Sequence, residues 1–149
     1  MINDTATLRF YRNDTWGNAN TDTSSSITVN AGGTMESGCF FTPTRDLKLN
    51  GGTVAMTGGV NPTYPAFALK GTVTVGGSQA SQINFVSGIF NRINIGDGNL
   101  GATVFDVADA TGDASADLTV STVLQNNGPV GGNSLTKTGA GTMELPATN

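Results

Sequence analysis

A Gly-Thr step set inside a strand-like run occurs four times in this chain, in AGGTMESG (31–38), NGGTVAMTGG (50–59), KGTVTVGG (70–77) and TGAGTMELP (138–146). The first three steps, Gly33-Thr34, Gly52-Thr53 and Gly71-Thr72, are 19 residues apart each time. A short fixed period of this kind marks coils that stack, because one coil cannot bury its own apolar side and needs its neighbours to do so. The spacing therefore predicts an all-β fold, a single β-solenoid segment spanning residues 1–149. Roughly six to seven coils at about 4.8 Å each would make a rod about 30 Å long.

Composition agrees with stacked strands. Only 12 % of the residues are charged, about half the usual share of roughly 25 %. Thr, Asn and Gly number 22, 15 and 21, so hydroxyls and amides replace charge at the surface. Thr packs well on a pleated face, and Asn and Gly take tight corners. Helix formers are scarce, and no apolar stripe of period 3.6 is present.

Thirteen short β-rich runs bounded by Gly, Asn or Pro cover 6–11, 26–29, 34–36, 47–49, 53–56, 66–69, 72–75, 82–86, 89–95, 103–107, 117–120, 134–137 and 142–145. Alternation within Ile27-Thr28-Val29, Leu47-Lys48-Leu49, Val73-Thr74-Val75, Ile93-Asn94-Ile95 and Leu118-Thr119-Val120 points the apolar pair inward and the central polar residue outward. Laid in register, Ile27, Leu47, Phe67 and then Ile83 or Ile93 would form one inward ladder. Two stretches break the rhythm, 5–25 and 96–117, the second with five Asp residues; loops would leave the rod there. A β-sandwich also uses short strands and Gly-rich turns, but the equal intervals favour the solenoid.

The segment Leu135-Thr-Lys-Thr-Gly-Ala-Gly-Thr-Met-Glu-Leu145 resembles the autotransporter-associated β-strand repeat, or passenger-associated transport repeat, of large bacterial surface proteins. The likeness rests on Leu135, Lys137, Gly139, Gly141, Thr142 and Leu145; the run from Ile27 to Met35 is similar to the second half of that repeat. The resemblance implies a right-handed single-stranded parallel β-helix, exported and displayed at the cell surface or outside the cell, with no catalytic residues. Independently of it, Gly139 and Gly141 suit a corner and Thr142 restarts a strand. Lys137 is expected on the outer face.

Residues with chemistry to offer are few. Histidine is absent, which removes Ser-His-Asp and Cys-His nucleophiles and His-ligated metals. The single Cys39 excludes an internal disulfide, and beside two Phe residues it reads as a small buried hydrophobe. Asp106, Asp109, Asp113 and Asp117 fall at intervals of 3, 4 and 4. A Ca²⁺ site needs about six to eight oxygens, and Asp106, Asp109 and Asp113 would supply some; loop carboxylates capping turns are the plainer reading. No other cofactor is expected. Arg9, Tyr11, Arg12 and Trp16 would form an aromatic platform with polar fingers for a sugar, or else a terminal cap of the rod.

A net charge of −4 with scattered Lys and Arg leaves no footprint for nucleic acid. No apolar run reaches the length of a membrane span, so this segment is not expected to insert. The expected role is a structural stalk or spacer, not an enzyme, whose partners are neighbouring repeats of a parent chain or other copies of itself. An adhesin or glycan-binding module is the alternative; a polysaccharide lyase or hydrolase using Asp106 and Asp109 is more remote. Both ends of the sequence read as a solenoid entered and left midway. The cut edges would stack head to tail unless capped, with Pro146 blunting one of them.

Overall fold

A computed structural model of the chain describes residues 1–13, 26–39, 42–58, 66–96, 102–126 and 133–147. These residues form fifteen strands and no helix. In order they are β1 (Thr7–Phe10), β2 (Ser26–Asn30), β3 (Thr34–Ser37), β4 (Thr42–Thr44), β5 (Asp46–Asn50), β6 (Thr53–Met56), β7 (Phe67–Leu69) and β8 (Thr72–Val75). There follow β9 (Ser81–Phe85), β10 (Arg92–Ile95), β11 (Thr103–Val107), β12 (Leu118–Val120), β13 (Val123–Asn126), β14 (Leu135–Thr138) and β15 (Met143–Glu144). Each of the thirteen expected runs holds a strand, and β4 and β13 are additional.

The strands lie in three sheets: sheet I in the order β14-β11-β8-β5-β2, sheet II in the order β1-β3-β6-β9-β12-β15, and sheet III in the order β13-β10-β7-β4. Every strand pairing is parallel. From β2 onward the chain visits I, II and III in unvarying succession. Parallel neighbours cannot be joined by a hairpin; the chain must travel away and return. Here the return path consists of a strand in each of the other two sheets, an arrangement that fits a β-solenoid. Sheet II, the longest, holds six strands among the described residues.

The 19-residue period is real only once. Thr34 pairs with Thr53 across β3 and β6, but Thr53 then pairs with Gln82, while Gly71-Thr72 opens β8 on sheet I. The second interval of 19 is a coincidence of loop lengths. Along sheet I, Ile27 pairs with Leu47, Leu47 with Val73, Val73 with Phe105 and Phe105 with Lys137, advances of 20, 26, 32 and 32 residues. Phe67 and Ile93 belong to sheet III and Ile83 to sheet II, so the single expected ladder is three. All the apolar triplets look alike in sequence, and pairing alone sorts them.

What does recur is a unit: a sheet I strand, a glycine corner and a sheet II strand. It spans 26–37, 46–56, 72–85 and 135–144. Gly32, Gly51, Gly77 and Gly139 turn these corners with φ of 75°, 79°, 86° and 77°, a left-handed conformation costly for residues bearing a Cβ. Gly52 is needed for another reason, since a Cβ there would lie 2.5 Å from the carbonyl oxygen of Val29 in the coil above.

Inside, Met35, Val54, Ile83 and Val120 form the ladder of sheet II, all with no exposed surface. Ile27, Leu47, Val73 and Phe105 face them from sheet I, at most 4 % exposed. Burying each such side chain contributes about 1.5–3 kcal/mol, which holds the coils together without a wide core. At the first corners an amide ladder runs along the axis, Asn50 Nδ2 donating to Asn30 Oδ1 at 2.9 Å and Asn30 Nδ2 to Asn3 Oδ1 at 2.5 Å. Sheet III departs from simple alternation: Asn94, expected outward, is wholly buried and accepts a 2.6 Å hydrogen bond from Gln125 Nε2. Burial is tolerated because that polar atom is paired.

Candidate functional site

The residues expected to contact a glycan start on β1, at one end of sheet II. Strand alternation turns Arg9 outward, and the register sets it beside Glu36 of β3. Arg9 Nη2 donates to Glu36 Oε2 at 2.6 Å, Arg9 Nη1 to the Tyr11 hydroxyl at 3.1 Å, and Thr57 Oγ1 to Glu36 Oε1 at 2.8 Å. The guanidinium also lies 5.8 Å from the Tyr11 ring centroid. The Tyr11 hydroxyl foremost and Glu36 next raise the Arg9 pKa; the Arg9 hydrogen bond, with Thr57, lowers that of Glu36.

Tyr11 keeps 72 % of its surface exposed. The group is thus an exposed ring flanked by an ion pair and a hydroxyl. Arg9 and Tyr11 are brought together as expected, Arg12 is exposed nearby, and Trp16 lies outside the described residues. Glu36 and Thr57 were not anticipated. Their signal was weak: Glu36 sits two residues after a Gly-Thr step, at the outward position of a strand.

The acidic residues do not converge. Asp106 lies on the exposed face of β11, where it accepts from Thr138 Oγ1 at 3.1 Å. Asp109 Oδ1 accepts the Gly112 N–H at 2.8 Å, and Asp113 Oδ1 accepts the Ser115 N–H at 2.7 Å. These are local turn caps of the kind short acidic side chains make; the Ser115 N–H is the main cause of a lowered Asp113 pKa. Among the described residues no set of three or more His, Cys, Asp or Glu stands close enough to share a metal ion. Asp106, Asp109 and Asp113 are therefore not gathered into one ligand set.

Asp117 is the exception in this loop, being 1 % exposed. Its Oδ1 accepts from the N–H groups of Ala110 at 2.7 Å and Thr111 at 2.8 Å and from Thr111 Oγ1 at 3.0 Å, while Oδ2 accepts the Thr142 N–H at 2.7 Å. One carboxylate thus pins the excursion 108–117 to the Gly-Ala-Gly corner of the last coil. The Thr111 N–H, then that of Thr142, hold its pKa at about 2, below the ordinary 3.8 and against the cost of desolvation. The Gly141 step needs its missing side chain, because a Cβ there would fall 2.2 Å from the Ala108 carbonyl oxygen and 2.7 Å from Asp117 Oδ2.

Lys137 is not on the outer face. It pairs with Phe105, an inward and fully buried position, and it is exposed because no coil covers β14 among the described residues. Its ammonium donates to the carbonyls of Thr138 at 3.2 Å and Gly139 at 3.0 Å. Gly33, Thr34, Gly52 and Thr53 stand at the start of β3 and β6, and Gly141 and Thr142 just before β15. Gly71 and Thr72 open β8 on a different sheet. Cys39 is buried, its Sγ 3.2 Å from Ser37 Oγ.

At the β1 end an apolar hollow of about 270 Å³ is lined by Met1, Ile2, Ala6, Thr7, Leu8, Ser26 and Ile27. No helix among the described residues is long and apolar enough to cross a membrane. The geometry defines an all-β protein of three parallel sheets with a narrow core. Comparison with protein families, curated proteins and solved structures finds no match.

Proposed function

We propose that the chain is a right-handed single-stranded parallel β-helix acting as a structural stalk or spacer of a surface-displayed or secreted bacterial protein. Its work is extension and display rather than turnover. The observation that carries this reading is the repeated visit to sheets I, II and III with strand-on-strand parallel register, which converts added sequence into added length along one axis. Right-handedness is supported by general chirality, since parallel strands of one sheet joined through a crossover are nearly always connected that way. The likeness of 135–145 to the autotransporter-associated repeat supports export.

Circular dichroism together with small-angle scattering tests the shape: a β-rich particle with the profile of a rod is expected, and a helical or spherical one would sink the reading. Cell fractionation of a tagged parent protein tests display. Recovery only from the cytoplasm would count against it.

A second reading is favoured by the exposed Tyr11 ring beside Arg9 and Glu36, an arrangement suited to stacking on a sugar face and bonding its hydroxyls. A glycan array is the test. Signal that disappears in Tyr11→Ala supports binding, and a blank array removes it.

A further inference from the structure

The two ends of the described rod fit one another, and we infer that a second copy of the chain docks its β1 end on the β14–β15 end of the first. This inference rests on the solenoid reading above. Sheet II gives the row Thr7, Thr34, Thr53, Gln82, Thr119, Glu144. The next rung over Glu144 is therefore Thr7 of the second copy, 137 positions away. Sheet I gives a separate row. Ile2 is bridged to Val29, which continues through Leu49, Val75 and Val107. One residue past the end of β14, the same row reaches Gly139, so the next rung over Gly139 is Ile2 of the second copy, again 137 positions away.

Two sheets thus demand the same offset. The corner 3–6 of the incoming copy then has the same length as the corner 140–143 beneath it, a more even step than those inside the chain, where sheets I and II advance by 20 and 19, 26 and 29, and 32 and 37 residues.

The surfaces complement each other as well. The hollow at the β1 end lies over Ile27 because the sheet I row Ile27, Leu47, Val73, Phe105, Lys137 has no rung above Ile27. In the stack that row comes to Lys137 of the neighbouring copy, whose aliphatic stem fills apolar space while its ammonium stays at the corner. Leu145, 41 % exposed, continues the inward row of Val120 and comes under Leu8. Asp4, exposed at the corner of the incoming copy, faces the corner that holds the Lys137 ammonium.

Thr103 N–H donates to the Ser134 carbonyl, so Thr136 and Thr138 face β11 and the Gly139 carbonyl, now bonded by Lys137, is the one offered to an incoming backbone N–H group. Pro146 does not blunt this edge. Successive residues bond to opposite neighbours: Thr34 N–H donates to Ala6 above, whereas the Gly33 carbonyl accepts from Thr53 below. Glu144 is the register equivalent of Thr34, so Pro146 is the equivalent of Glu36 and its missing N–H falls on the side of β12. The open edge belongs to Met143 and Leu145. Because the contact is head to tail and unclosed, it propagates as a filament.

Light scattering coupled to size exclusion, from micromolar to millimolar chain, should show mass rising with concentration, and electron microscopy should show rods one molecule wide. Asp4→Lys and Lys137→Asp should each raise the concentration for association about tenfold, and the double variant should restore it. Thr53→Lys on the outer face of sheet II should leave association unchanged, which separates end-on from side-by-side contact. A constant monomer mass overturns the inference, as does association that is weakened by Thr53→Lys or strengthened by Lys137→Leu. If the monomer scatters as a rod, the stalk reading survives that failure; if it scatters as a sphere, both fall.

Discussion

At the scale of single residues, glycine and aspartate carry the departures from a plain strand stack. Gly52 and Gly141 are there because a neighbouring coil's carbonyl occupies the place a side chain would take, whereas Gly32 and Gly51 are there for a positive φ. Asp117 accepts from four donors, the N–H groups of Ala110, Thr111 and Thr142 and the Thr111 hydroxyl, and so takes the place of water there. Its folded pKa is depressed, so its contribution to stability is present above the ordinary value of 3.8 and is lost as the pH falls from there towards about 2. Acid melting followed by circular dichroism should show stability dropping through that window, and Asp117→Asn should lower stability at neutral pH and flatten the drop. An acid profile left unchanged by Asp117→Asn would show that Asp117 does not pin the loop. Asp117 was legible as one of a row of carboxylates. Its difference from Asp106, Asp109 and Asp113 was not, because the Thr142 N–H that it holds lies 25 residues away in sequence, at the corner before β15.

At the scale of elements, strands with alternating apolar residues are readable and strands made only by pairing are not. β6 and β11 have the boundaries the sequence predicts. β4, a Thr-Pro-Thr run, has no alternation and exists because Thr42 and Thr44 find Phe67 and Leu69 alongside. β13 exists for the same reason, opposite Arg92–Ile95 of β10. The run 89–95 begins as a strand only at Arg92, since Ile89 is 70 % exposed and Arg92 packs its guanidinium 4.6 Å from the Phe90 ring centroid instead. The inward ladder also grades the elements by importance. Phe105→Ala should cost about 3–5 kcal/mol in denaturant unfolding, because it leaves a cavity between Val73 and Lys137, and Ile89→Ala should stay within about 0.5 kcal/mol. Equal losses would mean that β11 is not a central rung.

At the scale of the whole molecule, the described strands stack in three parallel sheets whose outer faces carry few charges and whose ends are open strand edges among the described residues. A bound metal stabilises the state that holds it. Since Asp109, Asp113 and Asp117 spend oxygens on backbone N–H groups, adding millimolar Ca²⁺ should leave the thermal midpoint unchanged; a rise reversed by chelator would restore the calcium expectation for this loop. The sequence by itself determined that the chain is all β, that its strands are short, and which residues alternate inward, because these depend on side-chain branching and on a period of two. It also marked glycine corners through the Gly-Thr step. Tertiary structure alone decided that the strands divide among three parallel sheets and that the coils vary in length. It likewise decided that Gly71-Thr72 belongs to a different sheet and that Lys137 stands at an inward rung. Those facts depend on which strand lies beside which, and the pairings that fix this join residues 19 to 37 positions apart, where no local pattern reaches.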